Sequence, residues 1–185
     1  KILPGELYVS THGAMISTVL GSCISVCLRD RQKGIGGMNH FMLPQNTEFS
    51  SDSWGNNPIT SASRYGNWAM EYLINAILKR GGEKRNFEVK VFGGGQMMAK
   101  MTDIGQKNIL FVHKYLAAEQ LKIEASDVGD IYARKVLYFP DTGCVKVRRI
   151  KNVKNDTIIR REAEYEKHVS VDKDSVLMNN NIELF

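Results

Sequence analysis

A chain of 185 residues and 20.9 kDa, 43% hydrophobic and 24% charged, has the size and composition of one soluble globular domain, which excludes disordered and fibrous classes. Its 25 Lys or Arg against 20 Asp or Glu give a net charge of +5, which favours acidic partners but is far below a dedicated nucleic-acid arm. No apolar stretch approaches the roughly 20 residues of a membrane span. Three cysteines without small-scaffold spacing, and a start at Lys1 with no secretion-signal pattern, point to a cytoplasmic protein with a free thiol, no membrane insertion and no nucleic-acid partner.

Residues 7–9, 15–19, 24–28 and 36–43 are apolar and partly β-branched, and the breakers His12-Gly13, Gly21-Ser22 and residues 30–34 divide them into short strands. Residues 45–58, rich in Asn, Ser and Asp, read as a surface loop. Over 60–80, Tyr65, Trp68, Ala69, Tyr72, Leu73, Ala76 and Ile77 recur at helical spacing, with Thr60 or Ser61 as N-cap and Gly81-Gly82 as the stop. A strand at 87–92 runs into the tight Gly93-Gly94-Gly95 loop. A second helix carries Asn108, Ile109, Phe111, Val112, Tyr115 and Leu116, and residues 132–139 and 144–150 form a hairpin around Pro140-Asp141-Thr142-Gly143. Beyond 150 the character changes. Residues 151–185 hold six Lys or Arg and seven Asp or Glu, so the basic excess, about +6, lies in 1–150. The reading is a domain over 1–150 and an extension over 151–185 that is helical near 160–168 and partly mobile or partner-dependent towards Asn179-Asn180-Asn181.

Cys23 follows a glycine-containing turn at the end of an apolar strand, where a side chain can be exposed and backbone N–H groups aimed at one point. That makes it a candidate nucleophile. A thiol needs a base to act near neutral pH, and His40 lies one strand further on, within reach if the two strands pair antiparallel. The glycines Gly36-Gly37 beside it are read as relieving crowding where a substrate approaches. A hydroxyl of Ser17 or Thr18 can orient the imidazole. Other groups read as structural. Cys27 and Cys144 suit inert core positions, His12, His113 and His168 lack companions, and Arg148-Arg149 suit a solvated strand end. A metal site of Cys23, Cys27 and His40 lacks both CxxC spacing and a fourth ligand, so no metal is expected. Gly93-Gly94-Gly95 lacks phosphate-loop spacing, so it is read as a loop edging a pocket, and no nucleotide cofactor is expected.

Leu20-Gly21-Ser22-Cys23, Gly36-Gly37-Met38-Asn39-His40-Phe41-Met42-Leu43-Pro44, Phe92-Gly93-Gly94-Gly95 and Ile104-Gly105-Gln106-Lys107-Asn108 together resemble the CheD chemoreceptor glutamine deamidases, over about residues 4–150. The resemblance implies an α+β fold, a single-domain α/β/β/α layered sandwich similar to deamidating-toxin cysteine hydrolases. It implies a protein-glutamine glutaminase that converts receptor glutamines to glutamate through a cysteine thioester, with no cofactor. Cys23 matches the nucleophile and His40 the general base. The family's third member is a threonine six residues before the cysteine, a position held here by Ser17, with Thr18 as the alternative. The implied substrate is the cytoplasmic helices of methyl-accepting chemoreceptors, with a CheC-type phosphatase as a further partner. A non-catalytic adaptor binding receptor or phosphatase is the competing reading, and a cysteine hydrolase acting on another amide is a second.

Overall fold

A computed structural model describes residues 1–43, 61–96, 102–150, 157–158 and 160–167. The strands are β1 (Leu7–Ser10), β2 (Ile16–Leu20), β3 (Ile24–Asp30), β4 (Gly36–Asn39), β5 (Phe87–Gly93), β6 (Ile123–Val128), β7 (Ala133–Phe139) and β8 (Cys144–Ile150), with α1 (Ser61–Leu78) after β4 and α2 (Thr102–Ala118) after β5. The expected strand, helix, strand, helix, strand order holds, with one addition. β6, Ile-Glu-Ala-Ser-Asp-Val, has large apolar residues only at its ends, because it is an edge strand with half of its residues exposed and none buried. The loop expected over 45–58 and the Thr60 cap lie outside the described residues.

Two sheets form. One has the order β1-β4-β3-β5-β6 and the other β2-β7-β8. β3 is its sheet's central strand and reads as a nearly continuous apolar run, buried on both faces. β5 and β6 pair in parallel and need a crossover, which α2 supplies, while β7 and β8 form the expected hairpin. α1 and α2 pack on one face of the five-stranded sheet. There Val26, Leu28, Val89 and Val91 meet Met70, Leu73, Ile77, Phe111 and Leu116 in an apolar layer. The opposite face meets the three-stranded sheet through Cys27, Met38, Met42 and Phe92 on one side and Ile16, Leu20, Val136 and Tyr138 on the other. This is a single α+β domain, with its described layers in the order helices, five-stranded sheet, three-stranded sheet.

Gly36 and Gly37 serve packing, which corrects their reading as a substrate approach. A Cβ on Gly37 would lie 2.5 Å from the Tyr8 carbonyl oxygen and 3.1 Å from Leu73 Cδ1, and one on Gly36 would lie 2.5 Å from Arg29 Cβ. They let β4 sit tightly between its neighbours and α1. The helical residues 160–167 lie against the domain, with Tyr165 packed on the inter-sheet core.

Candidate active site

Cys23 occupies the turn joining β2 to β3 and is completely buried. The turn is braced from behind by the glycine loop after β5. Gly94 N–H donates to the Cys23 carbonyl at 2.8 Å, and Gly95 N–H donates to that of Gly21 at 2.7 Å. Gly93, at φ +115°, presses so closely on the Cys23 carbonyl that no side chain fits there. From α2, the buried Asn108 side chain donates to the Ser22 carbonyl at 2.9 Å and accepts from Leu43 N–H at 2.8 Å. Two motifs distant in sequence thus fix the backbone of the turn, and the triple glycine is its clamp.

His40 directly follows β4. β3 and β4 pair antiparallel, and the pairing extends to an Ile24–Phe41 bridge. Because side chains alternate along a strand, Met38 and Met42 point between the sheets with His40 between them, the side that also holds Cys23. Thr18 reaches the imidazole from the other sheet. In β2, Ile16 and Leu20 face inward, which puts Thr18 inward as well and Ser17 and Val19 on the opposite face. Thr18 Oγ1 lies 2.8 Å from His40 Nδ1, so of the two hydroxyls considered, Ser17 and Thr18, strand geometry brings Thr18 to the imidazole.

The Thr18 hydroxyl has one proton, and it donates that proton to the Ile2 carbonyl at 3.0 Å. Toward His40 it can therefore only accept, so Nδ1 carries the imidazole proton and Nε2 carries the lone pair. Nε2 is buried without a hydrogen-bond partner among the described residues. A basic nitrogen left free and held by its other edge is what a thiol needs beside it.

The third group at Cys23 is one that sequence reasoning missed. Glu162, from the helical residues 160–167, is buried against the turn. Its Oε1 accepts from Gly21 N–H at 2.7 Å and Cys23 N–H at 3.4 Å. Its Oε2 accepts from Ser22 N–H at 2.8 Å and Ser22 Oγ at 2.7 Å. Three successive backbone N–H groups thus converge on one carboxylate. A Cβ on Gly21 would lie 2.6 Å from Oε2, so the carboxylate sits directly over the turn.

Burial pushes the Cys23 thiol well above its usual pKa, and the Glu162 carboxylate raises it further. Burial lowers His40 to about 3. In this arrangement the pair is therefore a neutral thiol and a neutral imidazole. A ring nitrogen of His40, the Cys23 sulfur and a Glu162 oxygen lie within 4.8 Å of one another, a grouping able to hold a metal ion. Both carboxylate oxygens are already engaged by N–H and O–H donors, an environment suited to an oxyanion rather than to a cation. The once-considered Cys27 is not part of that grouping. It is buried on β3, and burial pushes its thiol above the ordinary range. Cys144 is exposed, which corrects its reading as a core residue. His12 and His113 are also exposed, and His168 lies outside the described residues.

A buried thiol, an imidazole close to it, a hydroxyl fixing the tautomer and N–H donors converging on one point make up the apparatus that cysteine-dependent acyl transfer requires. The family described as CheD chemotactic sensory transduction matches residues 42–149. The probable chemoreceptor glutamine deamidase CheD of Methylobacillus flagellatus is 48% identical over 94% of this chain and 84% of that protein. Its namesake in Hahella chejuensis is 51% identical over 89% and 76%. The probable chemoreceptor glutamine deamidase CheD 1 of Dechloromonas aromatica is 45% identical over the whole of this chain and 88% of its own. The chain belongs to the CheD family.

Proposed function

We propose that the protein hydrolyses glutamine side chains of chemoreceptors to glutamate, with Cys23 as nucleophile, His40 as acid and base, and Thr18 as the positioning residue. The observation that carries this reading is the grouping of Thr18, His40 and Cys23, with Thr18 Oγ1 on His40 Nδ1 and a ring nitrogen of His40 within 4.8 Å of the Cys23 sulfur, in a chain whose relatives are named for that reaction. Cys23 Sγ attacks the carboxamide carbon as Nε2 takes the thiol proton. The oxyanion is held by N–H groups of the 21–23 turn, donors of a kind worth about 2.7–4 kcal/mol each in the transition state. His40 then gives its proton to the departing amide nitrogen, releasing ammonia and leaving a thioester. A water deprotonated by His40 hydrolyses the thioester to glutamate and restores the thiol.

Three cysteines, none of them in a disulfide, fit a reducing compartment and action on the cytoplasmic side of receptors. No described helix is long and apolar enough to cross a membrane. The basic excess of the domain suits acidic receptor helices as substrate, and raising the ionic strength is expected to weaken docking. A CheC-type phosphatase is a second binding partner on this reading. A purely adaptor role leaves the buried grouping of imidazole and thiol without a purpose.

The test is mass spectrometry of a receptor cytoplasmic fragment incubated with wild type, Cys23→Ala and His40→Ala. Conversion of glutamine to glutamate by the wild type alone supports the reading. Equal conversion by Cys23→Ala removes the mechanism, and no conversion by any of them favours the adaptor.

A further inference from the structure

The chemistry above uses the turn, the thiol and the imidazole, but it leaves unused the largest charge in the site. Glu162 is a carboxylate removed from water, and it is tolerated there because four donors meet its two oxygens, three of them successive backbone N–H groups beside the thiol. A side-chain carboxylate is also the product of glutamine hydrolysis. Glu162 therefore presents, from within the chain, the group that the reaction would leave at this spot.

The segment that carries it is anchored at more than one point. Glu162 and Tyr165 stand three residues apart on one helical face. Tyr165 packs against the inter-sheet core, its hydroxyl meets that of Tyr65 on α1, and it lies so close to Gly5 that a Cβ there would be 2.9 Å away. The cleft beside His40, lined by Ile2, Thr18, Val19, Ile158, Arg161 and Glu162, has a free volume of ≈ 30 Å³. That is room for about one water molecule and not for a glutamine side chain.

We propose that residues 160–167 are an autoinhibitory arm in which Glu162 occupies the oxyanion and product subsite, so that a substrate glutamine reaches Cys23 only when the arm has withdrawn. On this reading a substrate glutamine competes with Glu162 for the same N–H groups. The carboxylate raises the thiol pKa while it is docked, so the closed form is also chemically quiet. The identity of the mimicked product rests on the deamidase reading; the closure itself does not.

Iodoacetamide alkylation of the full-length protein tests the closure without any receptor. Cys23 is buried under the arm, whereas the exposed Cys144 serves as an internal reference. Relative to Cys144, Cys23 in Glu162→Ala is expected to react about tenfold faster or more, the effect of losing a charge-assisted contact. Tyr165→Ala, which frees the arm without altering the turn, is expected to change it in the same direction. On a receptor fragment, both variants are expected to lower KM and keep kcat. Unchanged Cys23 alkylation in both variants overturns the proposal, as does loss of deamidation in Glu162→Ala with alkylation unaltered. Faster alkylation in the variants, with no deamidation by any protein including wild type, upholds the arm and removes the deamidase reading instead.

Discussion

β3 and β4 present two faces to two layers that are filled in opposite ways. On the side facing α1 and α2, Val26, Leu28, Phe41, Leu73, Ile77 and Phe111 form an apolar layer whose contribution is burial. On the side facing the three-stranded sheet, the same strands enclose Cys23, His40, Thr18 and Glu162 among Met38, Met42, Leu20 and Tyr138. The second layer gathers the buried thiol, imidazole, hydroxyl and carboxylate, with Thr18, His40 Nδ1 and Glu162 hydrogen-bonded and His40 Nε2 without a partner among the described residues. The contrast teaches that one layer holds the strands in place so that the other can hold reactive groups at fixed distances.

The contrast breaks if substitutions in the two layers have the same consequences. The largest expected effect is on turnover. Cys23→Ala and His40→Ala are expected to lower deamidation by about 10³-fold or more while the protein stays folded. Cys27→Ala, four residues further along the same strand face, is expected to leave kcat intact. Next comes the helix side, where Leu73→Ala should cost about 2–5 kcal/mol in denaturant unfolding without changing kcat of the folded fraction.

Thr18 sharpens the comparison, because it belongs to the second layer and touches no substrate. Thr18→Ala is expected to lower kcat about ten- to a hundredfold. Thr18→Ser should restore most of the loss, since it keeps the hydroxyl, whereas Ser17→Ala should change nothing. The smallest effect lies away from both layers, at Asp30. Burial pushes its carboxyl up, but backbone N–H groups of Lys33, Glu83 and Gln32, helped by Asn86, outweigh burial and hold it below the ordinary value. A folded pKa below the unfolded one gives stability that is complete above the unfolded pKa and is lost as pH falls through the folded one. Asp30→Asn should therefore cost about 1 kcal/mol near neutral pH and flatten the acid limb of the unfolding curve, as measured by denaturant titration at several pH values.

How far this was legible in the chain depended on the distance over which each group acts. Cys23 and His40 could be paired because a short connection joins two apolar segments, and antiparallel pairing then follows. Thr18 and Ser17 could not be separated as readily, since both registers of the strand carry apolar residues: Ile16 and Leu20 in one, Met15 and Val19 in the other. The alternation decides the matter only once the buried face is known. β6 gave little signal because an edge strand buries few of its side chains. Glu162 gave none. It lies 139 residues from Cys23, and an acidic residue on a charged helix ordinarily faces water.

The central claim is that a glutamine side chain becomes bonded to Cys23 during turnover, and acid quenching of a single turnover on a receptor fragment tests it most directly. The account predicts that mass mapping will find receptor peptide joined to the Cys23 peptide as a thioester, and none on Cys27 or Cys144. Glutamate formed at full rate with no adduct at Cys23, and formed equally well by Cys23→Ala, would contradict it.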